Sequence, residues 1–312
     1  MNDAIRRIIT TTTTGFTHSG LKHLRRGVPY LFISNHRDIT LDAFLLQHLL
    51  LEHRGETSHI VFGNNLLSMP VMEDLFRSNK LIPMARGGTP RAFYENLHHL
   101  SLYLTDLLTI QRQSVWIAQN NGRAKDGRDI TAPAMIKMLT LSHPEDPLQA
   151  LDNLHIVPLS ISYEWDPCDL MKANELYHLR HGGYQKAPHE DLKSVVTGII
   201  GPKGKVHLSI GAPLSHRDLQ PPVGIQIHDH VAAVLDNAIQ GNYRLMPTNY
   251  VAYSLLTGVN LHGRYTELTR AQFLQRLETL PEAEMRQIMI ETYANPVTLS
   301  RRKPTQKSEV QN

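Results

Sequence analysis

Phe32-Ile33-Ser34-Asn35-His36-Arg37-Asp38-Ile39-Thr40-Leu41-Asp42 is the stretch on which the reading of this 312-residue chain turns. The run Tyr30 to Ile33 is apolar and strand-like, then stops at Ser-Asn-His; an acid follows, and an apolar helical pattern begins at Leu41. The change from strand to helix is where sheet-based enzymes present reactive groups. A carboxylate near the histidine fixes its tautomer and stabilises the imidazolium, which makes the other ring nitrogen a better general base. Spacing by itself decides little, because 18 histidines and 29 acids give roughly two chance pairs at any fixed separation. On these residues alone the competing reading stays open: Asn35 caps a helix and His36 is an ordinary polar neighbour.

Outward from this stretch, β-rich runs alternate with helical patterns. Strands are expected at Pro29–Ser34, His59–Phe62, Lys80–Met84, Ser114–Ala118, Leu154–Ser162 and Lys205–Ile210. Helices are expected at Leu41–Glu52, Val71–Arg77, Pro90–Thr109, Pro133–Leu139 and Ile225–Ile239. Strands separated by helices of this length imply an α/β fold with a mixed, largely parallel sheet flanked by helices. From about Asn242 the pattern is purely helical, over Thr248–Leu256, Arg270–Leu280 and Glu282–Thr292, punctuated by Pro281 and Pro296. The polar end, Arg301 to Asn312, reads as disordered.

Three further strand exits carry chemistry-bearing residues. In Met84-Ala85-Arg86-Gly87-Gly88-Thr89-Pro90-Arg91, Thr89 is a good N-cap and Pro90 suits the first helical position. The free N–H groups of that helix end attract anions, Arg86 and Arg91 flank it, and Gly87 and Gly88 allow close approach of a ligand. In Trp116 to Asp129 an apolar strand runs into a polar loop, Asn120-Asn121-Gly122-Arg123-Ala124-Lys125, with a third cation at Arg128. Arginine supplies a bidentate fork for phosphate there. Both segments also read as ordinary loops with solvated cations. The last, Ile156-Val157-Pro158-Leu159-Ser160-Ile161-Ser162-Tyr163, is a buried strand whose proline implies an edge, a bulge or a strand start.

Composition narrows the classes. The chain is 41% hydrophobic and 20% charged, as expected of a globular protein, and no apolar run approaches the roughly 20 residues of a transmembrane helix. The N-terminus has Arg6 and Arg7 but then Thr10 to Thr14, without the apolar core of a signal peptide. With the single cysteine, Cys168, this points to the cytoplasm. A net charge of +3 and a pI near 8.9 suit anionic small molecules or a phospholipid surface, but not nucleic acid. The histidines show no metal-ligand spacing.

In order and spacing, the four segments resemble the four motif blocks of the glycerophosphate/lysophosphatidate acyltransferase family, the phospholipid acyltransferase superfamily. Its Asn-His-x-x-x-x-Asp block is similar to Asn35, His36 and Asp42; its Arg-Gly turn to Met84–Gly88; its apolar-x-Glu-Gly-Thr-Arg block to Ile117–Arg123; its Val-Pro strand to Val157 and Pro158. Lys203 to Leu214 resembles the strand and Gly-x-Pro turn that close the domain. Two departures stand out: five residues separate His36 from Asp42 instead of four, with Asp38 as the fallback acid, and Asn121 replaces the family's glutamate.

The resemblance implies a glycerolipid acyltransferase-like domain over 1–241, a helical extension packed on it over 242–300, and a disordered tail over 301–312. It implies O-acyl transfer of the 1-acylglycerol-3-phosphate or glycerol-3-phosphate acyltransferase kind, in phospholipid biosynthesis. The donor would be acyl-CoA or acyl-ACP, with no other cofactor and no metal. The acceptor would be an amphiphilic phosphorylated molecule. His36 would be the general base and Asp42 its orienting acid. Asn35, Arg86, Gly87, Gly88, Arg91, Asn121, Gly122, Arg123 and Lys125 would bind substrate. Such an enzyme works peripherally on a membrane, here its inner face. Ile5, Ile8 and Ile9, at helical spacing beside Arg6 and Arg7, form either a short interfacial helix or one packed on the domain. Two other readings remain: a non-catalytic phospholipid- or phosphate-binding module, with Asn121 marking lost catalysis, and a metal-dependent hydrolase with His36, Asp38 and Asp42 as ligands.

Overall fold

The computed structural model describes residues 2–64, 80–85 and 87–302. The helix expected at Val71–Arg77, the residue Arg86 and the tail from 303 lie outside these residues.

Seven strands form one sheet: β1 (Thr13–Ser19), β2 (Leu31–Ser34), β3 (His59–Gly63), β4 (Leu81–Met84), β5 (Val115–Ala118), β6 (Ile156–Tyr163) and β7 (Gly204–Ile210). Their spatial order is β1-β7-β6-β2-β5-β3-β4. All pairings are parallel except β6 with β7. The described helices are α1 (Asn2–Thr12), α2 (Leu41–Arg54), α3 (Pro90–Thr109), α4 (Pro133–Leu139), α5 (Pro147–Asp152), α6 (Asp169–Arg180), α7 (Glu190–Ile200), α8 (His216–Leu219), α9 (Ile227–Asn242), α10 (Pro247–Thr257), α11 (Glu267–Glu278) and α12 (Ala283–Arg302).

The two-residue period of a strand sorts side chains onto opposite faces. Leu31, Ile33, Val115 and Ile117 join the core under α3, α4, α5 and α9. Phe32, Trp116, Val157, Leu159 and Ile161 join the core that α1 and α2 cover. A sheet covered on both faces explains why its strands read as continuous apolar runs. A third core, with Val251, Phe273, Leu277, Ile288 and Tyr293, unites α10, α11 and α12 with Ala173 of α6. This is the helical C-terminal extension.

The structure decides three points that the sequence leaves open or misplaces. Ile5 is 2% exposed in the α2-side core, with Ile8 and Ile9 packed beside it, so the apolar face of α1 is spent on the domain rather than offered to a bilayer. Pro296 lies inside α12 and does not end it. Pro158 is on an interior strand: Gly211 N donates to Pro158 O (2.8 Å), while the β6–β7 ladder begins one residue later at Leu159–Ile210. The missing N–H therefore falls where β7 pairing starts, which makes a local edge inside a continuous sheet.

Candidate active site

Strands β2, β3, β4 and β5 run parallel, so their exits gather at one end of the sheet, the crevice where open α/β sheets bind ligands. His36 lies just beyond β2. Its Nδ1 is 2.9 Å from Asp42 Oδ2. The same oxygen accepts from the backbone N–H of Arg37 (2.5 Å) and of Asp38 (2.9 Å), and Oδ1 accepts from Tyr163 OH (2.7 Å). A carboxylate in this setting only accepts, so Nδ1 carries the proton and Nε2 keeps the lone pair. Burial, and then the Asp42 carboxylate, push the Tyr163 hydroxyl well above its ordinary range, so it stays a donor.

The extra residue between His36 and Asp42 is absorbed in the turn. Asp38 Oδ1 accepts from Thr40 N (2.9 Å) and Leu41 N (2.8 Å), capping α2 from outside it. Asp38 is fully buried, and burial followed by the Asp42 charge raises its carboxyl above the usual range. It is a turn residue, and the acid that touches His36 is Asp42. Edge-on to the imidazole stands Trp116, with centroids 5.7 Å apart. Its Nε1 donates to Ser34 Oγ (2.9 Å).

His36 opens into a cavity of about 580 Å³, a volume ordinary for a small-molecule site. Its lining combines apolar side chains, among them Val61, Leu81, Met84, Phe93, Leu97, Met135 and Met138, with the charged Arg123, Lys125, Glu175, Lys186 and Glu190 and the phenol of Tyr184. Arg123 Nη2 donates to Ser194 Oγ (3.2 Å), while its buried Nη1 has no partner. Lys125 pairs with Glu175, and Lys186 with Asp191. The loop carrying the first two cations is fastened to His36, since Ala124 N donates to His36 O (2.7 Å).

The structure brings His36, Gly87, Asn121, Gly122, Arg123 and Lys125 to this cavity. It places Asn35 elsewhere: at 0% exposure, its amide donates to Ile161 O (2.9 Å) and Asp129 Oδ2 (3.2 Å) and accepts from Ile161 N (2.8 Å). Asn35 thus extends the sheet toward β6 and touches no open space. Arg91 is also away from the cavity, with its side chain 91% exposed beside Glu95. Gly88 is an exposed turn residue at φ 107° before α3. Val157 and Pro158 of the Val-Pro block sit within the sheet, level with Phe32 and Ile33, and act through packing.

A buried ion network under the site went unread in the sequence. Arg37, 3% exposed, donates to Asp129 Oδ2 (2.5 Å) and Asp166 Oδ2 (2.9 Å), and Lys172 pairs with Asp166 and donates to Arg37 O (2.8 Å). These partners are more than 90 residues from Arg37 along the chain, and no spacing rule reaches that far. The one local signal was a cation directly after the candidate base. Among the described residues no group of three or more His, Cys, Asp or Glu is arranged to hold a metal ion. Both Asp42 oxygens are already engaged by N–H and O–H donors, which weakens the hydrolase reading.

Residues 15–162, just under half of the chain, match the family described as Acyltransferase. This supports the resemblance drawn from the motif blocks. The chain is also similar to a solved structure titled the 1-acyl-sn-glycerophosphate (LPA) acyltransferase, PlsC, from Thermotoga maritima, at 14% identity over 77% of each chain and a TM-score of 0.42. No curated protein matches the chain.

Proposed function

We propose that this chain, with its acyltransferase-family segment over 15–162, moves a fatty acyl group from a CoA or acyl-carrier-protein thioester to a hydroxyl of a glycerophosphate-type acceptor. The observation that carries the reading is the His36–Asp42 pair, with His36 in the wall of a cavity lined by both apolar and charged side chains. An acyl chain suits the apolar side chains and an anionic head the cations.

In the reaction, His36 Nε2 takes the proton of the acceptor hydroxyl as its oxygen attacks the thioester carbonyl. The C–S bond then breaks, the ester forms, and the departing sulfur takes the proton back from the imidazolium. Asp42 holds the ring and offsets its transient charge. Gly122, Arg123 and Lys125 position the acceptor phosphate. No covalent acyl-enzyme is required, and the donor thioester is the only co-substrate. Phe93 in the cavity wall is partly exposed, as is its neighbour Tyr94. These rings suit an enzyme that collects amphiphiles at a membrane surface. No described helix is long and apolar enough to cross a membrane.

The test is transfer of radiolabelled acyl groups from acyl-CoA and acyl-ACP to a panel of acceptors, with wild type and His36→Ala. The variant should fold normally and lose about 10²–10⁴-fold in rate. Activity within tenfold of wild type refutes the role of His36. Phospholipid binding without transfer in the wild type would favour the non-catalytic module.

A further inference from the structure

We propose that Lys172 of α6 is a positioning residue for His36, acting through the single peptide group that joins Arg37 to Asp38. This deepens the acyl-transfer reading and rests on it only for the kinetic half of the test. Lys172 lies beyond the family-matched segment 15–162, and it does not line the cavity that His36 opens into.

Two successive peptide groups follow His36, and each is gripped at both ends. The N–H of Arg37 (2.5 Å) and the N–H of Asp38 (2.9 Å) converge on Asp42 Oδ2, the oxygen that also faces His36 Nδ1 (2.9 Å). At the other end of the first group, Ala124 N donates to His36 O (2.7 Å). At the other end of the second, Lys172 Nζ donates to Arg37 O (2.8 Å). A trans peptide is planar and points its C=O and N–H in opposite directions, so a donor on one end and an acceptor on the other fix its plane. Residues 35–40 belong to no strand or helix, and these grips hold them instead.

The two grips differ in charge: Ala124 offers a neutral N–H, Lys172 an ammonium. Lys172 is 2% exposed, and lysine is rarely buried without a specific partner. Counter-charge explains one of its bonds. Arg37 is shared between Asp129 and Asp166, and Lys172 supplies the second cation that balances them. Its bond to Arg37 O neutralises nothing. An ammonium on a carbonyl polarises the peptide and makes the N–H at its far end a stronger donor. Lys172 thus reaches the Asp42 oxygen through one peptide group and draws charge from the carboxylate that holds the imidazole. Without it, Asp42 attracts the His36 proton more strongly and the protonated ring is favoured. Other charged or titratable groups near these two side chains are Asp38 in the same turn, Tyr163 of β6, Cys168 before α6, and Arg123 and Lys125 of the loop after β5. All of them stay in place in a Lys172 variant.

The experiment is an NMR pH titration of the full chain, isotope-labelled at the histidine nitrogens, with the His36 signals assigned by their loss in His36→Gln. In Lys172→Met, His36 should take up its proton at a pH higher than in wild type by roughly 0.5 unit or more. Arg276→Met removes the guanidinium bound to Asp169 (2.6 and 2.8 Å). It loosens the same helix without touching the peptide between Arg37 and Asp38, and should leave the titration where it is. An unmoved titration in Lys172→Met, or an equal shift in Arg276→Met, overturns the proposal. Should Lys172→Met fail to fold with Asp166 short of a cation, Lys172→Met/Asp166→Asn keeps the buried network neutral. It still lacks the bond to Arg37 O and should shift in the same direction. In transfer assays, the acid limb of kcat in Lys172→Met should move by the same interval with KM little changed. If the wild type transfers no acyl group while the NMR shift is present, the acyl-transfer reading fails and the role of Lys172 stands. If the wild type transfers and the titration is unmoved, the role of Lys172 alone fails.

Discussion

Four donors share the Asp42 carboxylate, and that sharing fixes where His36 can point. Tyr163 arrives from β6, 121 residues away in sequence, so its phenol is the part of the arrangement a local motif could not contain. Tyr163→Phe removes one bond to a buried charge and should cost about 1.5–3 kcal/mol in urea denaturation, with a fall in acyl transfer larger in kcat than in KM. An unchanged midpoint would mean that the bond contributes nothing. The histidine and its acid were legible because a strand end, a histidine and an acid lie within a dozen residues. Asn35 shows the limit of the same logic: its motif position suggests a ligand contact, whereas its partners Ile161 and Asp129 are distant in sequence and engage both ends of the amide. Arg91 is a converse case, a cation beside a helix N-terminus that the helix turns outward onto Glu95.

At the level of elements, apolar periodicity placed β2 to β7 and α3 and α4 almost to the residue, because a sheet covered on both faces writes itself as apolar runs between polar exits. The strand β1 escaped notice: it is Thr-rich, contains Gly15, and lies on the sheet edge with much of its length in solvent. Helix α6 is not legible because its buried positions include Asp169 and Lys172 beside Ala173, so no apolar stripe marks it. The N-terminal helix shows how burial decides between two readings of one pattern. Ile5 sits at 2% exposure beneath α2, and Arg6 donates to Glu52 of α2 (2.7 Å). Ile5→Ala should cost about 2–4 kcal/mol in chemical denaturation, while vesicle co-sedimentation stays at the wild-type level. Loss of vesicle binding with no loss of stability would restore the interfacial reading.

Across the whole molecule, the C-terminal helices brace the site. Tyr293 OH accepts from Asp166 N (2.8 Å) and donates to Asp169 (2.6 Å), and Asn295 Nδ2 donates to Asp126 O (2.7 Å). A Cβ on Gly127 would lie 2.1 Å from Thr292 O. The extension is thus continuous with the Arg37 network and with the loop that bears Arg123. Its helical nature was plain from the sequence, and its role was not, because each contact joins residues more than 100 apart. At the opposite edge, His207 bonds Thr17 (2.7 Å) and Ser19 (3.1 Å) across β1 and β7, and Arg244 approaches to 3.3 Å. Burial, then Arg244, lowers its imidazole to about 4. Between that value and the ordinary 6.5 the unfolded chain binds a proton that the folded one excludes. This contribution is therefore complete above pH 6.5 and is lost as pH falls toward 4, on the order of 1–2 kcal/mol. Urea midpoints at pH 7 and pH 4.5 should differ less in His207→Gln than in wild type. An identical drop in both proteins would assign the acid sensitivity elsewhere.

The indole edge-on to His36 also gives the protein a built-in optical reporter. There are two tryptophans, Trp116 against His36 and Trp165 stacked on Phe273 in the C-terminal core. In Trp165→Phe, tryptophan emission comes from Trp116 beside His36 alone. Trp116 lines the cavity, so a thioester or a glycerophosphate entering it should change that emission. An unchanged spectrum under conditions where calorimetry detects binding would place the ligand elsewhere. With the change assigned, occupancy of the cavity can be followed during turnover without a label.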